Sequence, residues 1–99
     1  MKVVCAAILE NGRLLLAQRK YKGVNGGKWE MPGGKVEKYE SLEQAIIREL
    51  HEELEMKCDS IIFITTIIHL IENDLVPFSF FLCQNIHWSH KLNDHINFQ

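Results

Sequence analysis

Residues 28–56 read KWEMPGGKVEKYESLEQAIIRELHEELEM, and the acids in the second half of this stretch set the first constraint on the fold. Glu49, Glu52 and Glu53 stand at i, i+3 and i+4. On a helix turning about 100° per residue they share an arc roughly a quarter of the circumference wide. Like charges so placed destabilise an isolated helix by about 0.2–0.5 kcal/mol per pair. A bound hard cation reverses that sign: Mg²⁺ or Mn²⁺ prefers carboxylate oxygens, keeps several waters and bridges an enzyme to substrate phosphates. The bland alternative is a solvated acidic face, the ordinary meaning of a charge run.

The rest of the stretch frames that helix. Ser41 has the character of an N-cap, with Gln44 completing a capping box. Ile46, Leu50 and Leu54 recur at i, i+4 and i+8, so one flank packs on a core while the flank beside it carries the acids. Upstream, Lys28 to Lys35 reads as a short strand entering a turn. There Pro32 fixes φ, and Gly33 and Gly34 permit positive φ and close backbone approach. A loop of this kind cradles phosphate or lends a carbonyl to a metal.

The order Gly34, Glu40, Arg48-Glu49-Leu50, Glu52-Glu53 resembles the Nudix box. Trp29-Glu30-Met31-Pro32-Gly33-Gly34-Lys35 is similar to its lead-in in MutT-like nucleoside triphosphate pyrophosphohydrolases. The box covers residues 34–56, and a looser similarity runs from the N-terminus to about Gln84. The resemblance implies an α/β fold, a Nudix-type α/β/α sandwich with a mixed sheet, in one domain over residues 1–99. The usual final strand and C-terminal helix are expected to be missing, because little follows the segment Lys91 to Phe98.

The same resemblance implies roles. It makes the Gly33 carbonyl, Glu49, Glu52 and Glu53 the ligands of Mg²⁺, for which Mn²⁺ substitutes, with Asp94 a further ligand. Glu53 is the principal ligand, and Glu49 is the general base oriented by Arg48. Lys35 stabilises the leaving phosphate, Arg19 and Lys35 approach the substrate phosphates, and Met31 touches the nucleobase. Gly34 and Glu40 are structural supports. One position departs: Glu55 stands where the family usually has a Gly that ends the helix in a left-handed turn, so this helix is expected to run on or to end differently.

With 99 residues the chain suits a single small core. A formal charge of −2 gives no basic surface for long nucleic acid, while a small phosphorylated substrate arriving with Mg²⁺ is compatible. Cys5, Cys58 and Cys83 lie far apart in apolar runs and read as reduced core thiols. His87, His90 and His95 lack the spacing and the cysteine pair of a zinc site, and His51 reads as exposed. The N-terminal apolar stretch is too short for a signal peptide or a membrane span, so a cytoplasmic location is expected.

Val3 to Leu9 and Arg13 to Arg19 read as a hairpin about Asn11-Gly12. Lys20 to Lys28 is read as a loop over the mouth of the site. Ser60 to Leu70 and Leu75 to Gln84 are two more strands about Glu72-Asn73-Asp74, with Pro77 marking an edge or bulge. A sheet with an uncovered apolar face implies a partner, such as a homodimer covering the short C-terminal side.

The activity expected is Mg²⁺-dependent hydrolysis of a phosphoanhydride in a nucleoside diphosphate linked to a group X. The first substrate class is a nucleoside triphosphate, canonical or oxidised, cut to monophosphate and pyrophosphate. An ADP-sugar or dinucleoside polyphosphate hydrolase uses the same box on other outer groups. A non-catalytic nucleotide sensor keeps the binding without turnover, and a purely structural fragment has neither.

Overall fold

Two tight turns fix the strand registers. A computed structural model describes residues 1–19, 28–88 and 95–98, with the side chains at 18, 19 and 95–98 outside the description. Strand β1 (Val3–Glu10) turns through Asn11 (φ 54°) and Gly12 (φ 74°) into β2 (Arg13–Leu15), with Glu10 opposite Arg13. Two central residues at positive φ match the right-handed twist of a hairpin. Further along, β6 (Met56–Ile71) turns through Glu72 (φ 48°) and Asn73 (φ 70°) into β7 (Asp74–Trp88) in the same way. Both strands outrun the lengths read from the sequence.

The strands make two sheets. The larger has the order β2-β1-β7-β6, and β5 (Gly33–Lys35) shares the β2 side of β1. β1 and β7 run parallel and the other pairs antiparallel, so the sheet is mixed, as expected. The smaller has the order β4-β3-β8, built from Trp29–Glu30, Ala17–Arg19 and His95–Phe98. Arg13 to Arg19, read as one strand, therefore breaks at Leu16 and serves both sheets. The C-terminal segment contributes a strand of its own, β8, antiparallel to β3. Pro77 lies opposite Ile68, one residue before β7 meets β1 at Phe78, where β7 has β6 on one side only. Its missing N–H costs nothing to the β1 ladder there.

Among the described residues α1 (Leu42–Leu54) is the one helix. Ser41 accepts from the Gln44 N–H at 3.0 Å and Gln44 accepts from the Ser41 N–H at 2.8 Å, closing the capping box in both directions. Ile46, Leu50 and Leu54 are buried against Val4, Ala6 and Ile8 of β1 and Phe81 and Cys83 of β7. The apolar period thus seats α1 on one face of the large sheet, and that docking fixes which way the acids point.

The helix stops at Leu54. Glu55 takes the left-handed conformation (φ 51°, ψ 41°), and its N–H bonds back to His51 at 3.0 Å. The departure from glycine changes the residue and not the turn. A Cβ in this region costs about 1 kcal/mol relative to glycine. Glu55→Gly is accordingly expected to raise the free energy of unfolding by about 1 kcal/mol in a urea titration. A loss of stability instead would mean that the Glu55 side chain outweighs its backbone cost.

Candidate active site

The acidic arc is organised by one cation. Arg48 Nε donates to Glu40 Oε2 at 2.7 Å, and Nη2 donates to Glu40 Oε1 at 3.0 Å. The same Nη2 donates to the Lys35 carbonyl at 2.9 Å. Nη1 reaches Glu49 Oε1 at 2.7 Å and Glu52 Oε2 at 3.3 Å. A planar fork of five N–H groups is suited to such a set, because it meets several acceptors without rotating. The guanidinium ties the start of the box, the loop before the helix and two of the acids into one unit. Its pKa is driven up by the hydrogen bond to Glu40 first, so it stays charged at every accessible pH.

Glu40 is held from two sides. The Arg48 fork comes first, and the Glu37 N–H adds a third bond at 2.9 Å. These bonds favour the ionised form and hold the Glu40 carboxyl below its ordinary range. Glu37 itself comes within 3.5 Å of Arg48 Nε, a contact the sequence reading missed. The signal was available in the i, i+3 spacing of Glu37 and Glu40 in the turn between β5 and α1.

Of the two roles read for Gly33 and Gly34, the structure shows close approach and not positive φ. Gly33 and Gly34 are strand residues paired with Cys5 and Val4, and neither has positive φ. A Cβ on Gly33 would sit 2.0 Å from the Val4 carbonyl oxygen. A Cβ on Gly34 would sit 2.5–2.6 Å from the Glu49 carboxylate. Gly33 therefore lets β5 close on β1, and Gly34 leaves the space that Glu49 fills.

The three acids differ in exposure. The Glu49 side chain is 14 % exposed, that of Glu52 56 %, and Glu53 as a residue 7 %. Glu53 points inward beside the core, and Glu52 marks the solvent side. The donors are all oxygen, the set a hard divalent ion prefers, and the Gly34 gap leaves the Glu49 carboxylate unobstructed by a side chain. The chemistry of the donors fits Mg²⁺. Their arrangement is not closed around a centre: among the described residues, no three of the His, Cys, Asp and Glu side chains converge as an ion cage. Glu49 and Glu52 turn toward Arg48 instead.

Other candidates fall at various distances from this unit. Lys35 enters through its carbonyl, and the residue itself is exposed on β5. Met31 is half-buried between β4 and β5, and Trp29 is 39 % exposed on β4. Arg19 lies on β3, and its side chain is outside the described residues, as are Asp94 and the loop residues 20–27. His51 is exposed in the last turn of α1, and His87 Nε2 pairs with Asp59 Oδ2 at 2.9 Å. Cys83 is buried, Cys5 and Cys58 are half-buried, and all three are thiols. Burial, helped by the Glu30 charge, pushes the Cys5 thiol up to about 11. A cavity of about 720 Å³ lies between α1 and β6, lined by Ile47, Arg48, Leu50, Met56 and Ile61 among others. It contains none of the three acids.

The chain matches the family model described as NUDIX domain over residues 1–90. It is 35 % identical over 85 residues to the 8-oxo-dGTP diphosphatase of Proteus vulgaris, covering 86 % of this chain and 74 % of that enzyme. It is 52 % identical over 54 residues to the CTP pyrophosphohydrolase of Escherichia coli K12, covering 54 % of this chain and 40 % of that enzyme. Among solved structures it superposes on a MutT NUDIX hydrolase from Burkholderia pseudomallei with a TM-score of 0.86 at 25 % identity, covering 99 % of this chain and 79 % of that one.

The glycine geometry separates two substitutions. Gly33→Ala drives a Cβ into backbone and is expected to cost about 1–3 kcal/mol or more of stability. Gly34→Ala meets only the movable end of Glu49, so the unfolding midpoint should shift little while turnover falls at least tenfold; an equal loss of stability in both variants contradicts this. The acid limb of stability follows from Glu40. Its folded pKa is depressed, so its contribution is present above the ordinary carboxylate value and is lost as pH falls through the depressed one. Thermal unfolding of Glu40→Gln should therefore show a flatter decline below about pH 4.5. An unchanged slope would place the acid sensitivity elsewhere.

Proposed function

Because the chain belongs to the NUDIX domain family and is a Nudix hydrolase, we propose that it cuts nucleoside triphosphates, oxidised forms among them, to the monophosphate and pyrophosphate in a divalent-cation-dependent reaction. The observation that carries the reading is the Arg48 fork, which fixes Glu49 and Glu52 against the end of β5 at the Lys35 carbonyl. The printed activities of the Proteus vulgaris and Escherichia coli relatives support the substrate class.

In this reading the Gly33 carbonyl, Glu49, Glu52 and Glu53 would hold Mg²⁺, with Mn²⁺ as a substitute. Asp94 is proposed as a further ligand from outside the described residues. The ion, when bound, neutralises polyphosphate charge and lowers the pKa of a coordinated water. Glu49 accepts the proton of the attacking water, and Arg48 holds its carboxylate by one oxygen so that the other stays turned to the substrate. Glu53 supplies a carboxylate on a residue that is only 7 % exposed, so burial restricts its movement. The Lys35 ammonium and Arg19 neutralise the phosphates, and Met31 bounds the base. Electrostatic stabilisation of this kind is worth about 2.7–4 kcal/mol for each well-placed group. Free thiols and a nucleotide substrate suit a reducing, cytoplasmic setting. No helix among the described residues is long and apolar enough to cross a membrane.

The test is incubation with Mg²⁺ and a panel of canonical and oxidised nucleoside triphosphates, with ADP-ribose included, and separation of products by chromatography. Monophosphate and pyrophosphate are expected from the triphosphates, with a fall of at least a hundredfold in Glu53→Gln. Exclusive turnover of ADP-ribose would reassign the substrate class, and binding without products would make the protein a sensor.

A further inference from the structure

Strand β6 is an edge that nothing among the described residues protects. It ends the sheet order, with β7 on one side and no strand on the other. From Ile62 to Ile71 every residue is exposed. Within this run Ile62, Phe63, Ile64, Ile67, Ile68 and Leu70 are each between 46 % and 69 % exposed. Between Ser60 and Ile71 there is no Lys, Arg, Asp, Glu or Pro, the residues with which proteins ordinarily block edge pairing.

The far end of the hairpin is barer still. β1 first meets β7 at Phe78, so Ile68 to Ile71 and Asp74 to Pro77 form a two-stranded ribbon beyond the main sheet. A ribbon of two strands is marginally stable in water on its own. This one nevertheless presents Ile68, Leu70 and Leu75 at 62 %, 69 % and 72 % exposure. Its backbone and side chains both call for a neighbour.

We propose that the neighbour is β6 of a second copy of this chain, paired antiparallel edge to edge about a two-fold axis, so that the two large sheets become one. Such an interface requires a surface complementary to itself. The run meets that requirement electrostatically, because the nearest charges, Asp59 on one side and Glu72 on the other, lie outside it and no like charges are buried on pairing. Pairing along the run would also set its apolar side chains beside those of the second copy, since opposite residues of an antiparallel pair lie about 4.5–5.5 Å apart. The acids of α1 are displayed on a different element, so pairing along β6 leaves them accessible.

Sedimentation of the purified chain over a wide concentration range, combined with amide hydrogen exchange, tests this. The chain is expected to sediment at twice its monomer mass. The alternate β6 amides between Ile62 and Leu70 that do not bond to β7 are expected to be protected in the dimer. Ile64→Lys with Ile68→Lys should restore the monomer mass with an unchanged far-ultraviolet circular dichroism spectrum, while Tyr39→Lys, remote on the turn before α1, should leave the dimer intact. A monomer at every concentration, an open-ended series of larger species, or a dimer in which these amides still exchange freely would each overturn the proposal. The exchange readout decides the matter even if the double-lysine variant fails to fold.

Discussion

The arrangement of this site rests on the Arg48 guanidinium. Three elements converge on it: the turn that carries Glu40, the end of β5 at the Lys35 carbonyl, and the middle of α1 with Glu49 and Glu52. Glu40, Glu49, Glu52 and Glu53 within one and a half turns of helix and its approach would repel one another if left alone. One delocalised charge with five directed donors holds three of them in fixed orientations. A lysine has the charge and lacks the fork, so it could not make these contacts together.

That constraint works only because the backbone around it is close. Gly33 brings β5 against β1, which sets the height of the Lys35 carbonyl over the helix. Gly34 opens the space in which Glu49 lies. The apolar stripe Ile46, Leu50 and Leu54 then fixes the rotation of α1, which sends Glu53 inward and Glu52 outward. A rotation of the helix by one residue would exchange these environments. The core and the site are thus two consequences of the same helical phase.

Much of this was legible in the sequence because it is local. The capping box, the helical phase, the two positive-φ turns and the acidic arc all depend on spacings of four residues or fewer. The Arg48–Glu40 pair spans eight positions and was legible only as a supporting role for Glu40, implied by the family resemblance. What was not legible depends on tertiary contact. The break of Arg13 to Arg19 at Leu16 follows from two sheets competing for one strand, which no periodicity encodes. For the glycines, positive φ is a local signature that does not apply here, while the close approach also read for them is present, though its partners, Val4 and Glu49, are set by tertiary contact. Glu55 was expected to alter the helix end. The Leu54 anchor and the start of β6 at Met56 leave one residue to make the turn, and it adopts the left-handed conformation regardless.

The central claim is that the α1 carboxylates Glu49, Glu52 and Glu53, two of them held by Arg48, are the seat of a divalent ion. The direct measurement is a Mn²⁺ titration of the free protein followed by electron paramagnetic resonance, with Glu49→Gln and Glu53→Gln in parallel. The account predicts saturable binding by the intact chain, competed by Mg²⁺ and weakened at least tenfold in each variant. Binding that is absent from the intact chain, or equal in all three proteins, would contradict it and leave the acidic arc as a solvated face.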